Sequence, residues 1–455
     1  MTRAIFRREL LDAIVSRKLL WICILCFVPI PLSTLVNQRA LAQFAAYHTR
    51  AQADYEQSLV GMKPADQVEV RAFRAKPPLS CLAFGLESVL PNTVSLRRDG
   101  ASIGQGAGQE NPILSLFGRI DLLFIVRFVL SLAAIVLTFG AVCTEKETGT
   151  LSLIFSSPVP RDSFLFGKYL AALLILIGPF AASMLLTAVL LQLQGAASLT
   201  STESLLQLLG IFLFCSLYLM TFLGLGILVS ASTFRSLTAI TVLLFLWAGL
   251  VAVLPQSAGL LAERLVPVES AESFLLQKNL LSQDFERRRA AELEPLSEDP
   301  NYSQLRQPIA MKYAVELAKA TAERDQEHAY RQRTQFRVAT ILASVSPVTP
   351  LTLGVSTLAG TGVPQSEQFL GALSRYQAEV NEKIFSNGYR DVFPGGRASF
   401  QINMIDLRSA PHFAPVRLSL SQMVRSTMGS LIVLILANAA LFVAAYFRFY
   451  RYEVS

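Results

Sequence analysis

Apolar residues in this chain gather into long unbroken runs, not into the stripes of a soluble helix or the alternation of a half-buried strand. Six runs lie roughly at Leu19–Val36, Leu122–Cys143, Tyr169–Leu193, Leu205–Ala231, Leu237–Leu254 and Val424–Phe447. At 1.5 Å per helical residue each can cross ~30 Å of hydrocarbon. They predict helices, because lipid offers backbone N–H and C=O groups no other partner. Ahead of the first run, Phe6, Leu10 and Ile14 form one stripe and Arg8, Asp12 and Ser16 another, the pattern of an amphipathic helix at the membrane surface. The expected fold class is an all-α polytopic membrane protein. It has an interfacial helix over 1–18, a first transmembrane helix over 19–36 and four more within 119–254. A sixth follows over 423–447, with a short tail at 448–455. Two long polar segments, 37–118 and 255–422, form a mixed, mainly α cap.

Punctuation and propensity divide the polar segments further. The first carries turn formers at Lys76-Pro77-Pro78 and a glycine-rich Gly100–Gly108 stretch. In the second, Ala271–Leu293 and Ile309–Ser344 are rich in strong helix formers, with a break expected around Glu294–Pro308. Phe400–Ile405 is a strand candidate. Pro347–Gly362 is apolar, uncharged and interrupted by Pro350 and Gly354. It is too short to span. It fits either a half-inserted or interfacial helix on the outer face or the core of an outer domain.

Composition agrees with the hydropathy. Hydrophobic residues make up 52% and charged residues only 16%, against ~25% charged in a soluble chain. That excludes a disordered chain, a disulfide-rich secreted scaffold and an ordinary cytosolic enzyme. The net charge of +7 points away from nucleic acid once its distribution is followed. Segment 38–118 holds 8 Lys/Arg against 7 Asp/Glu, and 255–422 holds 18 of each, so +6 sits beside the apolar runs. Arg3, Arg7, Arg8, Arg17, Lys18, Lys146, Arg161, Lys168, Arg235, Arg448 and Arg451 fall on one side, while the opposite short loop Gln194–Ser204 has none. The positive-inside rule then places both termini in the cytoplasm and the two long segments outside. The basic start and Ala40-Leu41-Ala42 also fit a cleaved signal peptide, but the long patterned stretch before the first run favours an uncleaved helix. Of five cysteines only Cys81 lies in a polar segment, so the cap is expected to fold without an intrachain disulfide. Cys23-x-x-Cys26 sits inside an apolar run, where neither redox nor zinc chemistry has access.

One connection stands out. Between the second and third runs, within 144–168, the chain reads Glu145-Lys146-Glu147-Thr148-Gly149-Thr150-Leu151-Ser152-Leu153-Ile154-Phe155-Ser156-Ser157-Pro158-Val159-Pro160-Arg161, then Gly167-Lys168. Acidic residues end one helix, Gly149 allows a turn, Thr150–Phe155 can form a short amphipathic helix, and Pro158 and Pro160 stop it. Physically this is either a short rigid knob with charges at its base or an ordinary polar connection. Within the runs, Arg127 either snorkels, pairs with Asp121 or lines a watery path. Asn438 suits an interhelical hydrogen bond or a substrate contact. Pro179 is expected to kink the third run, and Gly224 and Gly226 to admit a neighbouring helix.

The pattern E-x-E-x-G-T-L, S-x-P-V-x-R and G-K resembles the second-to-third-span loop of ABC-2-type permeases, membrane subunits of ATP-binding-cassette transporters. Arg8-Glu9-Leu10 with its amphipathic stretch resembles that family's lead-in helix. Ser346-Pro347, Leu358-Ala359-Gly360-Thr361-Gly362, Phe369 and Tyr376 resemble a subgroup with a large outer domain before the last span. The resemblance implies that the knob docks in a groove on a separate ATPase. Glu145, Glu147, Gly149, Thr150, Leu151, Pro158, Arg161 and Lys168 would build that coupling loop, with the glutamates bracing the second span and Leu151 filling the groove. It further implies two copies of a cytoplasmic ABC ATPase holding ATP and Mg2+, and a second permease subunit in a homodimer or heterodimer. The location implied is the bacterial cytoplasmic membrane, and the direction export.

What is missing from the sequence agrees. There is no G-x-x-x-x-G-K-[ST], and Gly104, Gly106 and Gly108 give only G-x-G-x-G. No H-E-x-x-H or G-x-S-x-G occurs, and His48, His328 and His412 lack metal-ligand spacing. The chain is expected to hold no catalytic residue, cofactor or metal of its own. Two other readings share the frame: a mechanotransmission protein that drives its outer domain without moving a substrate, and a membrane receptor with no ATPase.

Overall fold

The computed structural model describes residues 2–58, 62–64, 68–74, 76–85, 93–97, 100–103, 120–156, 160–195, 201–296, 302–380, 382–383, 404–406, 411–414 and 417–451. Helices dominate, and six apolar stretches are long enough to cross a bilayer: Lys18–Ser58, Leu122–Glu147, Arg161–Leu193, Thr202–Ser232, Ser236–Leu265 and Leu420–Tyr450. The protein is an all-α polytopic membrane protein with small strands outside the spans.

In chain order, α1 is Thr2–Val15, and the first span consists of α2, Lys18–Phe27, and α3, Pro29–Ser58. The interruption coincides with Pro29 and Pro31, which bring no N–H to the ladder. Ser183 of the third span donates to the Cys26 carbonyl beside it at 2.7 Å. The helix continues to Ser58, well past the apolar run that ends at Val36. The second span comprises α4, Leu122–Phe124, a π-helical turn over Ile125–Leu130, α5, Ser131–Thr138, and α6, Cys143–Glu147. The knob is α7, Thr150–Phe155. Then come α8, Arg161–Leu193, and α9, Thr202–Ser232. The fifth span joins α10, Ser236–Ala248, a π-helical Gly249–Val253 and α11, Leu254–Leu265. The last span is α16, Leu420–Tyr450, opened by a capping box between Ser419 and Gln422.

The chain divides into two compact units, Met1–Val251 with Pro347–Ser455, and Ala252–Ser346. In the first, α8, α9 and α16 carry most helix–helix contacts, and α1 lies along α8. Two segments expected to belong to the cap join this unit. A three-stranded antiparallel sheet, β2 (Val70–Phe73), β3 (Thr93–Arg97) and β4 (Gly100–Ile103), packs Val68, Val70, Ala72, Val94 and Leu96 against Tyr376 and Val380 of α15, Val363–Val380. A second pairing joins β1, Met62–Pro64, to β5, Met404–Asp406. The strand candidate over 400–405 is thus described only at its end, and Gly104–Gly108 lies outside the described residues.

The apolar stretch after Ser346 forms α14, Val348–Ala359, which packs against α9 and α16. At twelve residues it is ~18 Å long, about half a bilayer core. Gly354 lets the Phe214 ring of α9 lie where a Cβ would stand. These contacts join it to the core shared by the spans.

The second unit contains α12, Ala271–Leu293, and α13, Tyr302–Ala343. Their pairing is polar. Lys278 bonds Asp325 at 2.9 Å, Tyr313 Oη donates to Glu292 at 2.6 Å, and His328 stacks on Phe274 at 4.1 Å between centroids. The helix α13 starts earlier than expected and includes Pro308. Proline near a helix start frees only one carbonyl, which water can satisfy at this exposed position.

Candidate functional site

The loop between the second and third spans is fixed from several sides. At its start, the Ser230 hydroxyl accepts the N–H groups of Val142 and Cys143 at 2.9 and 3.1 Å. The neighbouring charges Lys146 and Glu147 then serve two helix ends. Lys146 Nζ donates to the Ala231 and Thr233 carbonyls at the C-terminus of α9, where a cation is favoured. Glu147 Oε2 accepts the Ser236 N–H at 3.0 Å and its hydroxyl at 2.8 Å at the N-terminus of α10, where an anion is favoured. One dipeptide therefore ties the loop to the turn between the fourth and fifth spans.

Lys168 forms the second tie. It is 6% exposed and its ammonium sits 2.7 Å from Glu9 and 2.8 Å from Glu145. Three elements meet there: α1, the end of the second span and α8. Glu145 Oε2 remains buried without a hydrogen-bond partner among the described residues. Arg161 opens α8 and donates to the Tyr450 carbonyl at 2.6 Å, closing the C-terminus of α16.

The knob itself begins at Gly149, whose φ of +73° is the left-handed region where L side chains are strained. Thr150 Oγ1 meets Thr148 Oγ1 at 2.9 Å and donates to the Glu145 carbonyl at 3.4 Å. Leu151, expected to fill a partner's groove, is instead 3% exposed. It packs with Phe164, Leu165, Ile227 and Phe449 in this chain's own core. A six-residue helix has room for one inward face, and Leu151 occupies it. The outward apolar residue is Leu153, 73% exposed. Pro158 lies outside the described residues.

Arg127 belongs to a different cluster. It does not pair with Asp121, which instead caps α4 by accepting from Phe124 N at 2.8 Å and also takes Phe84 N at 3.1 Å. Burial pushes the Asp121 carboxyl above its ordinary value, against the opposing pull of those N–H groups. Arg127 Nη2 donates to the Val251 carbonyl at 2.6 Å, inside the π-helical turn of the fifth span. The π turn of the second span aims the Ser131 N–H at Val126 and Phe128, so the Arg127 carbonyl loses its helical donor. Tyr218 Oη supplies one at 3.0 Å, the Ser131 hydroxyl another, and Trp247 donates to Ser131 Oγ at 2.9 Å. Two irregular turns are thus stitched together across the second, fourth and fifth spans. Asn438 donates to the Leu217 carbonyl at 3.0 Å and to Thr221 Oγ1 at 3.1 Å, joining α16 to α9. The helix α8 runs continuously through Pro179.

Glu145, Glu147 and Lys168 fall within one loop of the sequence, whereas Glu9 and Ser236 reach it only through the fold. Their positions, 159 and 89 residues from their partners, leave no local signal. Among the described residues, no group of three His, Cys, Asp or Glu side chains could hold a metal ion.

Six membrane-crossing helices with a helical knob fastened at one end of them define a multi-pass membrane protein. The family model described as ABC-2 family transporter protein matches residues 3–454, and the chain belongs to that family. It is the membrane subunit of an ATP-binding-cassette transporter, a family that associates with ABC ATPases. A comparison with curated proteins finds none that matches.

Proposed function

We propose that this permease is driven by a separate ATPase docking on α7, and that it works as an exporter. The observation that carries the reading is the double fastening of the knob. Lys146 and Glu147 hold it to the ends of α9 and α10, and Lys168 holds its base to α1. A push on α7 is passed through the packing of Leu151 and through α6 to α1, α8, α9 and α10. Its exposed contact is Leu153, with Leu151 acting as the anchor. Two ATPase copies would bind ATP and Mg2+, close on nucleotide and move two such knobs. This needs a second permease subunit, identical or related. Leu275, Leu276 and Leu280 of α12 are exposed outside the long apolar runs and suit such pairing. Both termini and the loop would lie in the bacterial cytoplasm, as the basic residues around them favour.

The test is co-purification. The wild-type chain is expected to bring down an ABC ATPase, and Leu153→Asp to lose it while eluting from size exclusion like wild type. Retention of the ATPase by Leu153→Asp would reject α7 as the docking element.

A further inference from the structure

The ends of α9 and α16 remote from the knob hold a cavity of about 380 Å3, a size that accepts a small organic molecule. Phe73, Phe369, Phe413 and Met423 give it an apolar wall. Among the described residues its charged lining is Arg74, Arg417 and Glu203. The Arg74 side chain is 8% exposed, with its guanidinium 5.8 Å from the Phe369 ring centre. Three helices start at the rim: Ser204 lies in the first turn of α9, Gln365 in the first turn of α15, and Ser419 caps α16. Their positive dipole ends add to the charge of Arg417.

The cavity is braced. Gly360 ends α14 at φ +81°, and Pro77 sits 2.8 Å from where its Cβ would be. Thr361 Oγ1 donates to the Ala83 carbonyl at 2.8 Å. The Gln365 amide donates to the Thr357 carbonyl at 2.7 Å, while its Oε1 is buried with no partner among the described residues. That oxygen can accept from a ligand O–H or N–H.

We propose that this cavity binds an anionic amphiphile. Its phosphate or carboxylate head, carrying a hydroxyl or amide hydrogen, faces Arg417, the helix starts and Gln365, and its tail lies along Phe369, Phe413 and Met423. Binding does not depend on the coupling role given to α7.

The experiment uses the full chain in phosphatidylcholine nanodiscs and a lysophosphatidylglycerol with a photoreactive tail. Labelled peptides are mapped by mass spectrometry. Label is expected on the peptides holding Phe369, Phe413 and Met423. Unlabelled lysophosphatidylglycerol should displace it at least about tenfold better than lysophosphatidylcholine, which shares the tail but is zwitterionic. Arg417→Glu, at an exposed position, should cut labelling about tenfold with unchanged elution. Nanodiscs with added phosphatidylglycerol separate two sources of the same chemistry: loss of label there identifies a resident bilayer lipid, and retention identifies a single-chain solute. Label spread over the exposed Leu244 and Phe245 of the fifth span, equal competition by the two lysolipids, or full labelling of Arg417→Glu would overturn the site.

Discussion

Lys168 is buried with two carboxylates against it. Removing one partner from a buried ion pair costs about 3–5 kcal/mol, since the remaining charge is left desolvated. Lys168→Met is therefore expected to lower the thermal midpoint clearly. Lys168→Met combined with Glu9→Gln and Glu145→Gln should recover much of the loss. No recovery in the triple variant would mean that Lys168 acts through packing alone. Gly149 gives a cleaner case. Nothing lies within 4 Å of the position a Cβ would take, so Gly149→Ala meets only the left-handed backbone. The expected cost is about 1–2 kcal/mol, read as a lower melting midpoint. A neutral result would mean the turn relaxes to negative φ.

Helices show the same contrast between space and conformation. In α14, Gly354 admits the Phe214 ring, and Gly354→Leu should destabilise by about 1–3 kcal/mol or more through overpacking. In α15, Gly371 faces open space, and Gly371→Ala should stabilise by about 0.5–1 kcal/mol. Opposite shifts in melting midpoint are the expected readout. If both variants behave alike, α14 is not wedged among the spans. These elements also mark what the sequence made legible. Long apolar runs announce spans because composition alone decides them, and α12 is visible in its helix formers. The inward phase of α7 is hidden because Leu151, Leu153, Ile154 and Phe155 are all apolar within one and a half turns. The partners of Arg127 are hidden too. They follow from two π-helical turns, which hydropathy does not register.

Orientation belongs to the whole molecule. Its basic residues cluster at the end of the spans that holds α7. A cysteine placed at Ser282 is expected to react with an impermeant maleimide added outside intact cells, and one at Leu153 only after lysis. The reverse pattern would invert the topology and remove α7 from the reach of an ATPase. The native thiols interfere little, since Cys26, Cys81, Cys143 and Cys215 are buried and Cys23 is half-buried.

In the proposed coupling, α7 touches an ATPase through Leu153. The most direct measurement is photo-crosslinking from Leu153→Cys, modified with a benzophenone maleimide in permeabilised membranes, with the adduct identified by mass spectrometry. A single adduct with an ABC ATPase subunit is expected, and the same probe at Ser204→Cys should give none. No ATPase adduct from Leu153→Cys, or equal adducts from both ends of the spans, would rule out docking on α7.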